Sequence, residues 1–313
     1  MRARRSRDEI ERDSWRRQAE SQAQALANAG QNSYAHHTLA KAAIAAVRDG
    51  LEKTEGSDDE LSQEALSQAI KHAEDVLKNG LQLFPNDDRL LGEEAELGKI
   101  LRNADRALRA LERAFKSNPR SELIARRLAR VLRAKDRLRD AIDVLRQALE
   151  QNPGSQSLHD DLAQAVREEK PDSDTVQNET LLYHLRRSFA PGDRNHEAQF
   201  WYARQLCLAG QPTEALKIFT NLRELHLPFR QKQSSRGIVL DHEGKPVVFY
   251  GQIYARQPSF GFIRSDENGL EMYFSVGSDD EAADALRVAQ RVSYNLAFNL
   301  LGPLAQNVTP LLL

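Results

Sequence analysis

The sequence predicts a multidomain chain in which an all-α helical-repeat solenoid is followed by a small all-β, five-stranded barrel. Three observations predict it. Pro85, Pro119 and Pro153 recur every 34 residues. Ala73, Ala107 and Ala141 keep the same beat, as do Leu77, Leu111 and Leu145; Gly80, Ala114 and Ala148; and Ala95, Ala129 and Ala163. Small residues at fixed phases with a closing proline are the signature of stacked helix–turn–helix units, since helices cross closely at the small residues and proline cannot continue a helix. From Ser234 the composition changes to short runs of Ile, Val, Phe and Tyr separated by Gly and Pro turns, the pattern of a small sheet structure. A length of 313 residues suits a solenoid plus one compact domain.

In chain order, residues 1–32 read as an N-terminal basic helix, its helical part over 8–29 with Ile10, Trp15, Ala19 and Leu26 as a thin apolar stripe and Gly30 as the stop. Its arginines (Arg2, Arg4, Arg5, Arg7, Arg12, Arg16 and Arg17) read as a solvated helix end, because acidic residues interleave with them; a basic arm for nucleic acid is the alternative. No apolar core follows Met1–Arg5, which argues against a secretory signal, and Asp8, Glu9, Glu11 and Asp13 argue against a transit peptide. The repeats are expected over 33–229, as units 33–87, 88–121, 122–155, 156–195 and 196–229. The first is long and degenerate, with a helix ending near Gly50 and a second opened by Ser57-Asp58-Asp59-Glu60, which has the form of a capping box. The next two are the best copies. The fourth breaks at Lys170–Asp174 and closes at Pro191, 38 residues after Pro153. The fifth returns to pattern with Ala203, Leu206, Gly210, Ala215 and Phe219, and places Cys207 as a small buried hydrophobe. Residues 230–235 are the expected linker. In 236–313, Ile238–Leu240 and Val247–Tyr250 flank a hairpin turn, further runs lie at Gln252–Ala255, Phe260–Ile263, Met272–Val276, Val292–Phe298 and Asn307–Thr309, and a single helix is expected over Ser278–Leu286.

The 34-residue pattern resembles the tetratricopeptide repeat family. The resemblance implies that first-helix positions line a ligand groove. Arg126, Arg130 and Arg133, spaced i, i+4, i+7, share one helical face, and Lys99 and Arg89 of the preceding unit can join them. Guanidinium forks suit carboxylate or phosphate, so the expected occupant is a protein or acidic peptide. The alternative is a solvated face paired with Glu112, Asp136 and Asp140. Arg102, Arg106, Arg109 and Arg113 form a second stripe, expected on the outer surface.

In the C-terminal region, Ser259-Phe260-Gly261-Phe262-Ile263 is followed by Glu271-Met272-Tyr273-Phe274-Ser275. Side chains alternate along a strand, so Phe260 and Phe262 share a face. Gly261 between them leaves room for a base or a neighbouring strand, and Tyr273 can add a third ring. Such rings make a stacking platform, and base–aromatic stacking is worth roughly 1–3 kcal/mol per base. Over about residues 249–311 this resembles the cold-shock domain, a five-stranded oligonucleotide-binding (OB) barrel. Its two ribonucleoprotein-type motifs correspond to Phe260–Ile263 and Met272–Ser275, its first strand to Gly251-Gln252-Ile253, and its last turn and strand to Gly302–Val308. The resemblance implies binding of single-stranded RNA, or DNA, through Phe260, Phe262, Tyr273, Tyr254, Arg256 and Arg264. The departures are a shorter loop before Phe260, no first-strand tryptophan near Ala255, and Ser275 in place of a histidine. Residues 236–313 carry six basic side chains against nine acidic, so attraction to phosphates must come from Arg256, Arg264 and the linker. The competing reading is a protein-interaction or regulatory scaffold, such as a sensor arm of a stress or defence system, whose barrel binds no nucleic acid.

A net charge of −2 implies no global polyionic partner, and one cysteine excludes a disulfide framework. No apolar run has the length of a membrane span. There is no phosphate-loop pattern and no HExxH, and the eight histidines, His36 and His37 included, lack metal-ligand spacing. The expectation is a non-enzymatic, cytoplasmic protein with no cofactor, no metal and no membrane partner.

Overall fold

The computed structural model describes residues 18, 21–26, 32–54, 60–169, 175–190, 192–234, 236–241, 243–276 and 286–311. The basic arm, both capping boxes but for Glu60, the break at Lys170–Asp174, Pro191 and all but Leu286 of the helix at 278–286 lie outside them. The chain divides into two compact units, Met1–Asn152 and Pro153–Leu313.

In the first unit, the helices are α1 (Ser33–Thr54), α2 (Glu60–Leu83), α3 (Asp88–Ile100), α4 (Ala104–Ser117), α5 (Glu122–Ala134) and α6 (Leu138–Gln151). The small residues of the 34-residue beat are buried: Ala73, Ala107, Ala114, Ala141 and Ala148 lie inside with Leu77, Leu111 and Leu145. At Gly80 an added Cβ would press on both Leu90 methyls at 3.3 Å. Helix starts keep the same beat. Asp87 accepts from the amides of Arg89 and Leu90 (3.0 Å each) and Ser121 from that of Ile124 (3.4 Å). In the second unit Ser155 accepts from that of Leu158 (3.2 Å). Each such cap is worth about 1 kcal/mol. Two local expectations change. Gly50 does not stop α1, which runs on to Thr54; its missing Cβ instead allows a close crossing, 3.1 Å from Leu66 Cδ1. Leu26 is exposed and Ala23 is the buried side chain of its segment.

The second unit begins with α7 (Gln156–Glu169), α8 (Thr175–Arg187), α9 (His196–Leu208), α10 (Pro212–Arg223) and α11 (Phe229–Gln233). The stretch expected as a linker is therefore helical over most of its length. Five strands follow: β1 (Val248–Gln257), β2 (Phe260–Ser265), β3 (Glu271–Ser275), β4 (Arg291–Asn299) and β5 (Gly302–Pro310). They close into a barrel of order β1-β2-β3-β5-β4, with β4 returning to β1 and only β3–β5 parallel. Val247–Tyr250 and Gln252–Ala255 belong largely to one long strand, β1, and the expected hairpin before it is short, held by a Val247 amide to Val239 carbonyl bond (3.0 Å). The barrel interior holds Ile253, Ile263, Met272, Phe274, Val292 and Tyr294. The helices bind its flank. Phe219 of α10 stacks on Phe298 of β4 (6.3 Å, 13°), and Arg223 Nε donates to the Leu301 carbonyl (2.6 Å). Among the described residues no helix is long and apolar enough to cross a membrane.

Candidate functional site

The pleat gives the barrel an aromatic outer face. Phe262 lies opposite Tyr273, and Phe260 opposite Ser275, in the β2–β3 ladder. A register shift in β1 between Ile253 and Ala255 leaves Tyr254 pointing outward, as bulges re-aim side chains. The four rings form a connected cluster. Phe260 stacks with Tyr273 at 5.8 Å, Phe262 meets Tyr273 edge-on at 6.0 Å, Phe260 meets Phe262 edge-on at 5.9 Å, and Tyr254 lies 6.0 Å from Phe262. Tyr254 and Tyr273 keep 37% and 39% of their surface open to solvent. At Gly261 the structure selects the neighbouring strand over a base. The residue faces inward, where an added Cβ would collide with the Phe274 ring and lie 2.8 Å from the Ala255 carbonyl oxygen. The glycine accommodates the barrel core, not a ligand.

Charge around the rings is paired. Arg264 donates to Glu271 (2.8 Å) and caps the Tyr254 ring at 4.9 Å. The Tyr254 hydroxyl donates to the same carboxylate (3.0 Å). Donation from Arg264, then from Tyr254, holds the Glu271 carboxyl below its ordinary range. Burial, then the bond to Glu271, pushes the Tyr254 phenol up. Arg256 donates to the Phe260 carbonyl (3.3 Å), so it braces the β1–β2 corner. A groove of about 950 Å³ runs over this face. Its lining includes Leu304 and Pro303 of β5, Leu216 of α10 and Phe229 of α11, which sequence reasoning did not assign. Leu304 arrives by the parallel pairing with Tyr273, a long-range contact with no local signature.

In the first unit, a cavity of about 250 Å³ is lined by Lys99, Arg127, Arg130 and Glu96 over Ala95 and Leu111, among others. It brings together Lys99 and Arg130 of the expected set and adds Arg127. Arg126 and Arg133 are half-buried on α5 outside that lining, and Arg89 lies 6.0 Å from the Tyr34 ring instead. Of the second stripe, Arg106 bridges Glu94 (2.8 Å) and Glu74 (2.7 Å), tying α4 to α3 and α2.

The last repeat shows how such a face is used. Counted from the helix caps Ser121 and Asn195, Arg130 and Arg204 occupy the same position. Arg204 is 2% exposed. Its Nε donates to the Gly237 carbonyl (2.9 Å), and it lies beside the Trp201 and Phe298 rings. Arg236 of the same segment pairs with Glu197 (3.0 Å) over the Phe200 ring. The α9 face thus holds a stretch of the chain itself. The corresponding α5 positions are Leu123, Arg126, Arg127 and Arg130.

Among the described residues no group of three or more His, Cys, Asp or Glu side chains could hold a metal. Cys207 is buried, and burial pushes its thiol up to about 12, far from a reactive thiolate.

The tetratricopeptide repeat family model matches residues 101–173. No curated protein matches the chain. Among solved structures, the chain is similar to pilF of Pseudomonas aeruginosa, at 13% identity over 69% of this chain and 93% of that one, with a TM-score of 0.46. It is also similar to MamA of Desulfovibrio magneticus RS-1 (16% identity, 61% and 98% covered, TM-score 0.41). A third is YrrB, a TPR protein with an unusual peptide-binding site (13% identity, 56% and 89% covered, TM-score 0.39). The chain carries tetratricopeptide-type repeats followed by a closed five-stranded barrel.

Proposed function

We propose that this chain is a non-enzymatic adaptor that holds a single-stranded nucleic acid, RNA in preference to DNA, on its barrel and an extended protein segment on its repeats. The observation that carries the first half is the connected cluster of Tyr254, Phe260, Phe262 and Tyr273, open to solvent along a groove. Rings presented on one sheet face stack bases without regard to sequence, and RNA-recognition modules of this kind stack two or three bases. The strand order β1-β2-β3-β5-β4 supports a cold-shock or OB-type barrel, in which the strand 2–3 face takes the oligonucleotide. Because α10 and α11 cover the flank of the barrel, the test uses the full chain. Fluorescence anisotropy with a labelled uridine dodecamer at low salt should give salt-sensitive, micromolar-order binding. Phe260→Ala and Phe262→Ala should each weaken it by roughly 1–3 kcal/mol. Absence of binding at low salt would leave the barrel as a protein-docking surface. That reading is favoured by the pairing of Arg264 with Glu271, which takes up the cation nearest the rings.

The second half rests on the α9 face, where the chain's own segment at Arg236–Ile238 lies against Glu197, Phe200 and Arg204. On α5 the corresponding positions carry Leu123 and three arginines, so the favoured partner segment is extended and acidic. The triple substitution Arg126→Glu, Arg130→Glu and Arg133→Glu should leave helical content intact by circular dichroism and abolish capture of the partner from cell extract. An unchanged set of captured proteins from the folded variant would overturn this half.

A further inference from the structure

We infer that the nucleic-acid track does not end on the barrel but passes onto the short helix α11, where Phe229 stacks an additional base and Arg230 meets the backbone phosphate. This rests on the barrel reading above and extends the site onto a segment outside the barrel. The juxtaposition that carries it is that Phe229 lines the same groove as Tyr254, Phe260, Phe262 and Tyr273, while the residue keeps 65% of its surface open. Across the sheet the lining runs from Tyr254 to Phe262 by ring contact (6.0 Å), and on to Tyr273 and Leu304 by direct register. Phe229 and Leu216 then continue the apolar surface beyond β5.

The backbone that carries the ring is tied down. Pro228 caps α11 with its own φ fixed. The Leu300 amide donates to the Lys232 carbonyl (3.1 Å), Asn299 Nδ2 to the Gln233 carbonyl (3.3 Å), and Lys232 Nζ to the Arg223 carbonyl (2.6 Å). The first two bonds pin α11 to the β4–β5 corner and the third ties it to the end of α10. A backbone fixed before binding leaves only side-chain freedom to be lost on stacking, which favours affinity.

Charge points the same way. Residues 236–313 carry more acidic than basic side chains, whereas Phe229-Arg230-Gln231-Lys232 interleaves an aromatic ring with two cations and no acid. A strand confined to the barrel rings meets Arg264 already paired with Glu271. One that continues over α11 reaches an exposed guanidinium at Arg230. Aromatic and cationic groups alternating along one path are the means by which single strands are held, and phosphate neutralisation supplies the sequence-independent attraction.

The test uses the full chain and two labelled probes, a uridine dodecamer and a uridine tetramer, read by anisotropy across a salt series. For the dodecamer, Phe229→Ala should weaken binding about tenfold, Phe229→Trp should restore it, and Arg230→Gln should lower the slope of log affinity against log salt by about one phosphate. The tetramer, short enough to stay on the barrel rings, should be indifferent to all three. Dodecamer binding that depends on Phe260 and ignores Phe229 and Arg230 overturns the extended track and leaves the barrel reading standing. Failure of both probes to bind removes both. Should Phe229→Ala fail to fold by circular dichroism, an unchanged salt slope for folded Arg230→Gln overturns the inference on its own.

Discussion

Arg130 and Arg204 stand at the same position of two repeats, nine residues beyond the caps Ser121 and Asn195, and have opposite environments. Arg130 is exposed at the rim of a cavity shared with Lys99 and Arg127. Arg204 is sealed in, donating to the carbonyls of Gly237 (2.9 Å) and Ile238 (3.5 Å) between aromatic rings. One repeat presents this face; the other has filled it with the chain that leads into the barrel. Periodicity thus locates equivalent helix faces but does not reveal whether the protein has already covered one of them. The neighbours do: α9 buries six consecutive residues, Tyr202 to Cys207, which a helix with one solvent face cannot do.

The largest expected effect breaks this comparison directly. Arg204→Ala removes a charged donor from two backbone carbonyls and opens a cavity between Trp201 and Phe298. With charge-assisted bonds worth about 1.5–3 kcal/mol each, urea denaturation should show a loss of about 3 kcal/mol or more. Arg130→Ala, at an exposed position, should stay within about 0.5 kcal/mol. Equal costs would mean that the two faces are not in different states. Next in size is Gly237→Ala. Gly237 has φ +67°, and an added Cβ would lie 2.9 Å from Arg204 Nε and 3.0 Å from Trp201 Cζ3. Left-handed strain and overpacking, each of order 1–3 kcal/mol, should together cost about 2 kcal/mol at the least. Gly154→Ala, with nothing within 4 Å, is the control and should be neutral.

The repeats were legible because helix crossings demand small residues at fixed intervals, and Ala107, Ala141 and their companions are where those crossings occur. The caps Asp87, Ser121 and Ser155 kept the same 34-residue interval and could have been read from sequence as well. The aromatic face was legible from strand alternation alone, since Phe260, Phe262 and Tyr273 needed only the pairing of two adjacent strands. What closes the groove was not. Leu304 reaches Tyr273 through a parallel pairing, and Phe229 arrives through contacts of Lys232 and Gln233 with the β4–β5 corner. Those are long-range facts of topology. Gly261 shows the limit of such a reading, because close approach was legible while the choice between a base and a neighbouring strand was not, and the approaching group is Phe274 of the adjacent strand.

The smallest expected effect sharpens the same comparison at a second phase. Four residues beyond the caps Asp87, Ser121 and Ser155 stand Leu91, Ala125 and His159. All three are buried, so the fourth repeat has placed a titratable ring where its predecessors have inert side chains. His159 Nε2 donates to the Pro153 carbonyl (3.1 Å), which leaves Nδ1 to accept from His184 Nδ1 (2.8 Å). Burial lowers its pKa below the ordinary value of 6.5, the bond to Pro153 opposes this, and the nearby Arg187 adds to the lowering. A base whose folded pKa is depressed binds fewer protons folded than unfolded, so stability rises with pH through that interval. Its contribution is complete above about pH 6.5 and is lost as the pH falls toward the folded value. Protonation would also set two N–H groups against each other across the His159–His184 contact. The Tm of the wild-type chain should therefore drop between pH 7 and pH 5 by more than that of His159→Ala, which carries the side chain of the neighbouring repeat. Parallel Tm curves for the two proteins would show that His159 packs as its counterparts do and does not titrate in this range.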